Sequence, residues 1–307
     1  MDWNQDGKLD IISGCYWTDG EDGAHLQILT GNGDMDFAKS KALESMNGKP
    51  LQNVEVSEST QTQAICTEQH AIDYDGDGDL DLVVGCFGSN FYYYENKAEP
   101  GGVNAIVDEP IELPIAISGH HAAPHLVDWD NDGDLDLLSG SLDGGVVLAE
   151  NTRTRAEPVW SSFRSLVPAS DKNLQSSNAL DIGPSTRVWA TDWNADGWQD
   201  LVIGDSVGVT SPADGVSQSE WQKRSSADDE LINRLEAKLQ PLEERLDKLT
   251  DEGKDPDNKL VAEYGPLRAE LDAIFDAKSK YESTTRTGHV WLLIRKPPAD
   301  AKLASAN

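Results

Sequence analysis

Asp73-Tyr74-Asp75-Gly76-Asp77-Gly78-Asp79-Leu80-Asp81, followed by Leu82-Val83-Val84-Gly85, is the stretch on which the fold turns. Carboxylates fall at positions 1, 3, 5 and 9 of the nonapeptide, and glycine at position 6. Hard oxygen ligands on alternate residues, closed by a glycine turn, are what a calcium loop requires. The same pattern begins again at Asp2, Asp128 and Asp192. Position 3 is Asn4, Asp75, Asp130 and Asn194; position 5 is Asp6, Asp77, Asp132 and Asp196; position 9 is Asp10, Asp81, Asp136 and Asp200. The backbone carbonyl of position 7 (Lys8, Asp79, Asp134, Trp198) would complete each shell, which leaves that side chain free to vary. Four copies in register predict about four bound Ca2+ ions. The second and third loops should bind tightest, because Asp75 and Asp130 add a fourth carboxylate.

The residues after each loop set the class of repeat. Leu9 to Gly14, Leu80 to Gly85, Leu135 to Gly140 and Gln199 to Gly204 are short aliphatic runs ended by glycine, the pattern of buried strands. An EF-hand would need Glu at position 12 and flanking helices; Ser13, Val84, Ser139 and Ile203 stand there instead. The loop starts are 71, 55 and 64 residues apart. That period suits a four-stranded propeller blade with long loops.

The pattern Asp-x-(Asp/Asn)-x-Asp-Gly-x-x-Asp, then an aliphatic strand and Gly, resembles the FG-GAP or VCBS repeat. The resemblance implies an all-β β-propeller of calcium-bearing blades, as in integrin α chains and many secreted bacterial propellers. It implies biochemical role only weakly, since propellers host lectins, enzymes and adhesion modules. Inner strands are predicted at Ala64–Asp73, Ala122–Asp128 and Thr186–Asp192. Third strands are expected at His25–Thr30, Phe91–Asn96, Val146–Asn151 and His289–Arg295, and outer strands near Gln52–Val56, Ile111–Ile117 and Val159–Leu166. About three and a half to four blades result, because no strand precedes the first loop and only Lys296–Asn307 follow the last third strand. The sequence therefore reads as lacking further blades and an export signal upstream, with a compact four-bladed ring as the alternative. The position-2 aromatics (Trp3, Tyr74, Trp129, Trp193) are expected to pack over neighbouring strands.

A net charge of −30 makes nucleic acid an improbable partner, and fourteen of the acids are loop ligands. No apolar run approaches a membrane span. Cys15 and Cys86 share a repeat slot with Ser141 and Asp205, which reads as a small-residue packing position. Cys66 lies on an inner strand, and the disulfide state of Cys15, Cys66 and Cys86 is open. His70 and His125 stand three residues before a loop, where the last blade has Trp189. With His120 and His121 they read either as ordinary strand and loop residues or as a transition-metal or catalytic cluster.

Residues 220–287 break the pattern, dividing the chain into blades (1–219), insertion and final strand with tail (288–307). Leu235, Leu239, Leu242, Leu246 and Leu249 step by 4 and 3, as do Leu260, Tyr264, Leu267, Leu271, Ile274, Lys278 and Tyr281. Two coiled-coil-like helices joined by Asp251–Asp257 predict an antiparallel hairpin, bent or restarted at Pro241 and Pro266. The hairpin is either a decoration or a docking arm. The expected function is a non-catalytic, calcium-binding module for extracellular, periplasmic or cell-surface protein binding or scaffolding, with self-association through the hairpin a possible mode. A glycan-binding lectin and an accessory propeller of a larger hydrolase or lyase are the alternatives.

Overall fold

Each acidic nonapeptide in the computed structural model leads into the strand predicted to come after it. The structure describes residues 1–14, 25–51, 67–97, 106–107, 109–169, 182–251 and 254–296. The first sheet holds β1 (Ile11–Ser13), β2 (Gln27–Leu29) and β5 (Lys41–Ala42), in the order β1-β2-β5. The hairpin of β3 (Gly31–Gly33) and β4 (Asp36–Phe37) is inserted before β5. The second sheet runs β6 (Glu68–Ile72), β7 (Asp81–Gly85), β8 (Asn90–Tyr94), β9 (Ile111–Ala116). The third runs β10 (Ala123–Val127), β11 (Asp136–Gly140), β12 (Val146–Ala149), β13 (Arg164–Val167). All neighbours in these sheets pair antiparallel. The last sheet orders β14 (Arg187–Thr191), β15 (Asp200–Gly204) and β18 (Val290–Leu293). The architecture of the described residues is thus mostly β, in small antiparallel sheets, with two helices.

The outer strand expected at Gln52–Val56 lies outside the described residues. Strand β5 is instead the partner of β2. Two residues carry no readable alternation, which is why the sequence pattern passes over it.

Adjacent sheets meet through a repeated division of faces. Trp3, Ile12 and Ile28 of the first sheet share a core with Leu82, Val84 and Tyr94 of the second. Tyr74, Val83, Phe91 and Tyr93 of the second share one with Leu126 and Leu137 of the third. Trp129, Leu138, Val146 and Leu148 of the third share one with Val188, Leu201, Ile203, Trp291 and Leu293 of the last. Alternate residues of a strand point to opposite faces, so every inner sheet gives one face to each neighbour.

The strand-ending glycines allow this approach. A Cβ on Gly14 would lie 1.9 Å from the Thr67 carbonyl oxygen, on Gly85 2.0 Å from that of Ala122, and on Gly140 2.2 Å from that of Thr186. Each glycine therefore lets the next sheet's inner segment lie against its backbone.

Among the residues sharing the cysteine slot, Cys86 is buried, Cys15 lies outside the described residues, and Asp205 corrects the small-residue reading. Its carboxylate accepts hydrogen bonds from Gly183 N–H (2.8 Å), His289 N–H (2.8 Å) and Trp291 Nε1–H (2.7 Å), stapling the last sheet together. Burial raises its pKa, but these bonds outweigh that and hold it below the usual carboxylate range.

The described residues fall into two compact units: the sheets through Val207 with Gly288 onward, and Gly208–Thr287. The second contains β16 (Val207–Pro212) from Gly208 onward, paired with β17 (Glu282–Thr287), together with α1 (Gln218–Asp251) and α2 (Asn258–Lys278). Leu235, Leu239, Leu271 and Ile274 form the seam of the helix pair. Lys278 bonds Asp229 at 2.8 Å while Arg268 reaches Glu243 at 4.0 Å, so the helices run antiparallel. Asp257 caps α2 by accepting Leu260 N–H at 2.7 Å. Lys278, the polar step of the heptad, sits in the seam because Asp229 and Glu282 (3.7 Å) neutralise it. Of the bend or restart expected at Pro241 and Pro266, the restart is overturned, since both helices continue through their prolines. No helix among the described residues is long and apolar enough to cross a membrane.

Candidate metal centre

The loops share one backbone conformation. Position 6 has positive φ in all four: Gly7 +84°, Gly78 +100°, Gly133 +96° and Gly197 +87°. No atom lies within 4 Å of a Cβ placed there, so left-handed backbone and not crowding requires glycine. Position 4 is also left-handed, at Gln5, Gly76, Asn131 and Ala195, and its varied residue types hide this from the sequence.

Two left-handed residues curl the loop so that its N–H groups point inward at its own carboxylates. The position-5 carboxylates Asp6, Asp77, Asp132 and Asp196 accept from the N–H of Lys8, Asp79, Asp134 and Trp198 at 2.9–3.1 Å. In three loops the position-1 carboxylate takes the N–H groups of positions 5 and 6: Asp2 from Asp6 and Gly7, Asp128 from Asp132 and Gly133, Asp192 from Asp196 and Gly197. Asn4 and Asn194 use their side-chain oxygens to accept the position-5 amides.

Position 9 joins loop to sheet. Asp10, Asp81, Asp136 and Asp200 are all buried. One oxygen of each accepts the position-2 N–H, from Trp3, Tyr74, Trp129 and Trp193, at 2.8–3.1 Å. The other accepts an N–H at the end of the third strand, from Gly31, Asn96, Asn151 and Arg295, each at 2.8 Å.

Carboxylates held this way converge in two loops. Oxygens of Asp73, Asp75 and Asp81 lie within 4.8 Å of one another, and so do those of Asp128, Asp130 and Asp136. Positions 1, 3 and 9 thus meet, while Asp77 and Asp132 stand outside the triads. Such convergence among the described residues is confined to the two loops with Asp at position 3.

Electrostatics fit a cation at these points. Burial pushes Asp81 up to about 7 and Asp136 up to about 6. Burial and then neighbouring charge raise Asp130, and burial is likewise the leading cause for Asp75. Position 7 varies among the loops, from Lys8 and Trp198 in the first and fourth to Asp79 and Asp134 in the second and third. Asp79 and Asp134 are buried, Oδ1 of Asp134 has no hydrogen-bond partner, and burial followed by Asp132, Asp130 and Asp128 lifts Asp134 to about 6. A hard divalent ion would relieve each of these costs, so the residues of the second and third loops fit one. Three or four carboxylates with a position-7 carbonyl would hold it, and it would supply charge neutralisation and a strand-to-strand tie.

Two arginines have no signal in the loop spacing. Arg155, from the third sheet, donates to the Asp73 carbonyl and pairs with its carboxylate at 3.4 Å. Arg295, from the last, donates to the Trp129 carbonyl and lies 4.4 Å from the Trp129 ring and 4.8 Å from that of Trp198. Each ties a loop to the following sheet.

Among the described residues, the histidines belong to neither of the clusters that could hold a metal. His70 and His125 stack at 4.4 Å, and His125 meets Trp189 at 4.6 Å. His70 Nδ1 accepts Leu126 N–H at 2.8 Å. Burial lowers His70 to about 3 and His125 to about 4, so both are neutral. His120 and His121 pack on Phe87.

Residues 73–139 match the FG-GAP-like repeat. No curated protein matches the sequence. Among solved structures, the Photorhabdus luminescens Tc holotoxin pore is similar at 14% identity and TM-score 0.33, over 64% of this chain and 8% of that one.

Proposed function

Because the chain carries an FG-GAP-like repeat, we propose that it is a calcium-stabilised β-propeller module that works outside the cytoplasm by binding or scaffolding, not by catalysis. The convergence of Asp73, Asp75 and Asp81, repeated in Asp128, Asp130 and Asp136, carries this reading. Carboxylates buried together and raised in pKa are a net cost to the metal-free fold, and calcium turns that cost into a cross-link between loop and third strand. Sites of this kind load where calcium is abundant, which favours an extracellular, periplasmic or cell-surface setting. The partner is a protein or a glycan. The helical hairpin, with 12 of the 25 basic residues of a strongly acidic chain, is the element we assign to docking it.

Calorimetric titration with calcium and thermal melts in chelator test the reading. We expect two tighter sites in the second and third loops and two weaker ones in the first and fourth. Chelation should lower the melting temperature, calcium should restore it, and magnesium should restore it poorly. An unchanged melt under chelation overturns the assignment.

A further inference from the structure

The last sheet presents a face that is buried everywhere else it occurs. The register of the loops and strands makes Trp193 equivalent to Trp3, Tyr74 and Trp129. Val290 is likewise equivalent to Phe91 and Val146, and Leu292 to Tyr93 and Leu148. In the first three sheets these residues are 0–7% exposed, because the following sheet covers them. In the last, Trp193 is 63%, Val290 79% and Leu292 44% exposed, with Trp189 beside them at 56%. A Cβ on Gly204 meets nothing within 4 Å, unlike those on Gly14, Gly85 and Gly140.

The first sheet presents the opposite half of the same interface. Ile11 is equivalent to Leu82, Leu137 and Leu201, which are 0–5% exposed against the preceding sheet, yet Ile11 is 42% exposed. Leu9 is exposed where Leu80 and Leu135 pack against the preceding sheet's core. Among the described residues there are therefore three complete sheet-to-sheet interfaces and both uncovered halves of a fourth.

We propose that the uncovered face of the last sheet (Trp189, Trp193, Val290, Leu292) docks the uncovered face of the first sheet (Leu9, Ile11) of a second copy of this chain. The occupant is set by complementarity on the molecule itself, since the same two kinds of face already pack together three times. Contiguous exposed apolar side chains of this size mark an interaction surface. A contact between unlike faces is heterologous, so it propagates head to tail and ends in a ring or an open chain of copies. Among the described residues no strand lies inside β1, so the groove at Gly204 stays open and the contact buries less than the internal ones. A net charge of −30 per chain also opposes assembly, so association should depend on concentration and strengthen with salt.

Sedimentation velocity across a hundredfold concentration range, with calcium saturating and salt moderate, tests this. The intact protein should gain mass with concentration. Val290→Lys/Leu292→Lys removes one face and Leu9→Lys/Ile11→Lys the other, so each variant alone should stay monomeric. Their equimolar mixture should give one-to-one pairs, because each retains the face the other has lost. Circular dichroism and melts confirm that both variants fold. If either fails to fold, amide exchange on the intact protein replaces it, and residues 9–13 and 290–293 should slow together as concentration rises. An intact protein that is monomeric throughout overturns the proposal. So does an Ile11 variant that still self-associates, which would mean two last sheets pairing with each other. Exchange that is independent of concentration overturns it as well.

Discussion

Substituting Asp81→Asn separates a metal ligand from a structural staple. Asp81 is fully buried, with one oxygen on Tyr74 N–H and the other on Asn96 N–H, each at 2.8 Å. Asparagine keeps one oxygen and sets an NH2 group against the second N–H. Losing a charge-assisted bond costs about 1.5–3 kcal/mol, and a buried unsatisfied donor costs a comparable amount, so ~3 kcal/mol is a fair central figure. For a unit of this size that lowers the melting temperature by roughly 6–12 °C. In chelator an opposing effect enters. Burial raises Asp81 to about 7, so the metal-free fold already bears a cost for ionising it, and the neutral amide removes that cost. The loss in chelator should shrink to about 2–4 °C, roughly 1 kcal/mol. In calcium the variant loses the bonds and the ligand charge together, so the full drop appears and one tight site vanishes from the titration. Parallel scanning calorimetry in calcium and in chelator reads both numbers. Equal drops in the two media, with the titration unchanged, would refute the reasoning and leave Asp81 a staple alone.

The same carboxylates set a pH dependence. Folded-state values raised to about 7 at Asp81 and about 6 at Asp134 and Asp136 mean that the metal-free fold binds more protons than the unfolded chain between about pH 4 and 7. Its stability should therefore rise as pH falls through that window, while calcium affinity falls because protons compete for the ligands; melts and titrations at pH 5, 6 and 7.5 check both signs. Gly85→Ala and Gly140→Ala drive a Cβ to 2.0–2.2 Å from a neighbouring carbonyl oxygen and should cost at least ~1–3 kcal/mol, whereas Gly204→Ala should be near neutral in the same denaturant titration. Replacing residues 213–281 with a Gly-Ser turn should remove the helical circular dichroism yet leave calcium binding intact, because the segment emerges between paired strands β16 and β17. Partner capture lost with that segment would support the docking role, and capture unchanged would reduce the hairpin to decoration.

The loops and the strands after them were legible because both rest on local rules. Alternate oxygens need alternate Asp or Asn, and the left-handed turn at Gly7, Gly78, Gly133 and Gly197 needs glycine. The helix pair was legible for the same reason, since its 3-4 spacing is a property of consecutive residues. Features that stayed hidden depend on a partner distant in the chain. Arg155 and Arg295 act through loops 82 and 166 residues away, and nothing around them marks that destination. Asp205 looked like one more small residue in a repeated slot, yet it closes the last sheet through His289 and Trp291, more than eighty residues on. Trp193 shows the limit most clearly. Its repeat position predicts burial, and three equivalents are buried, but repetition specifies only the face a residue occupies. Whether that face is covered depends on the presence of a neighbouring sheet, so a position that is core in three repeats becomes an interaction surface in the fourth. Exposure at Trp193 is thus the same packing rule applied where, among the described residues, no neighbouring sheet covers the face.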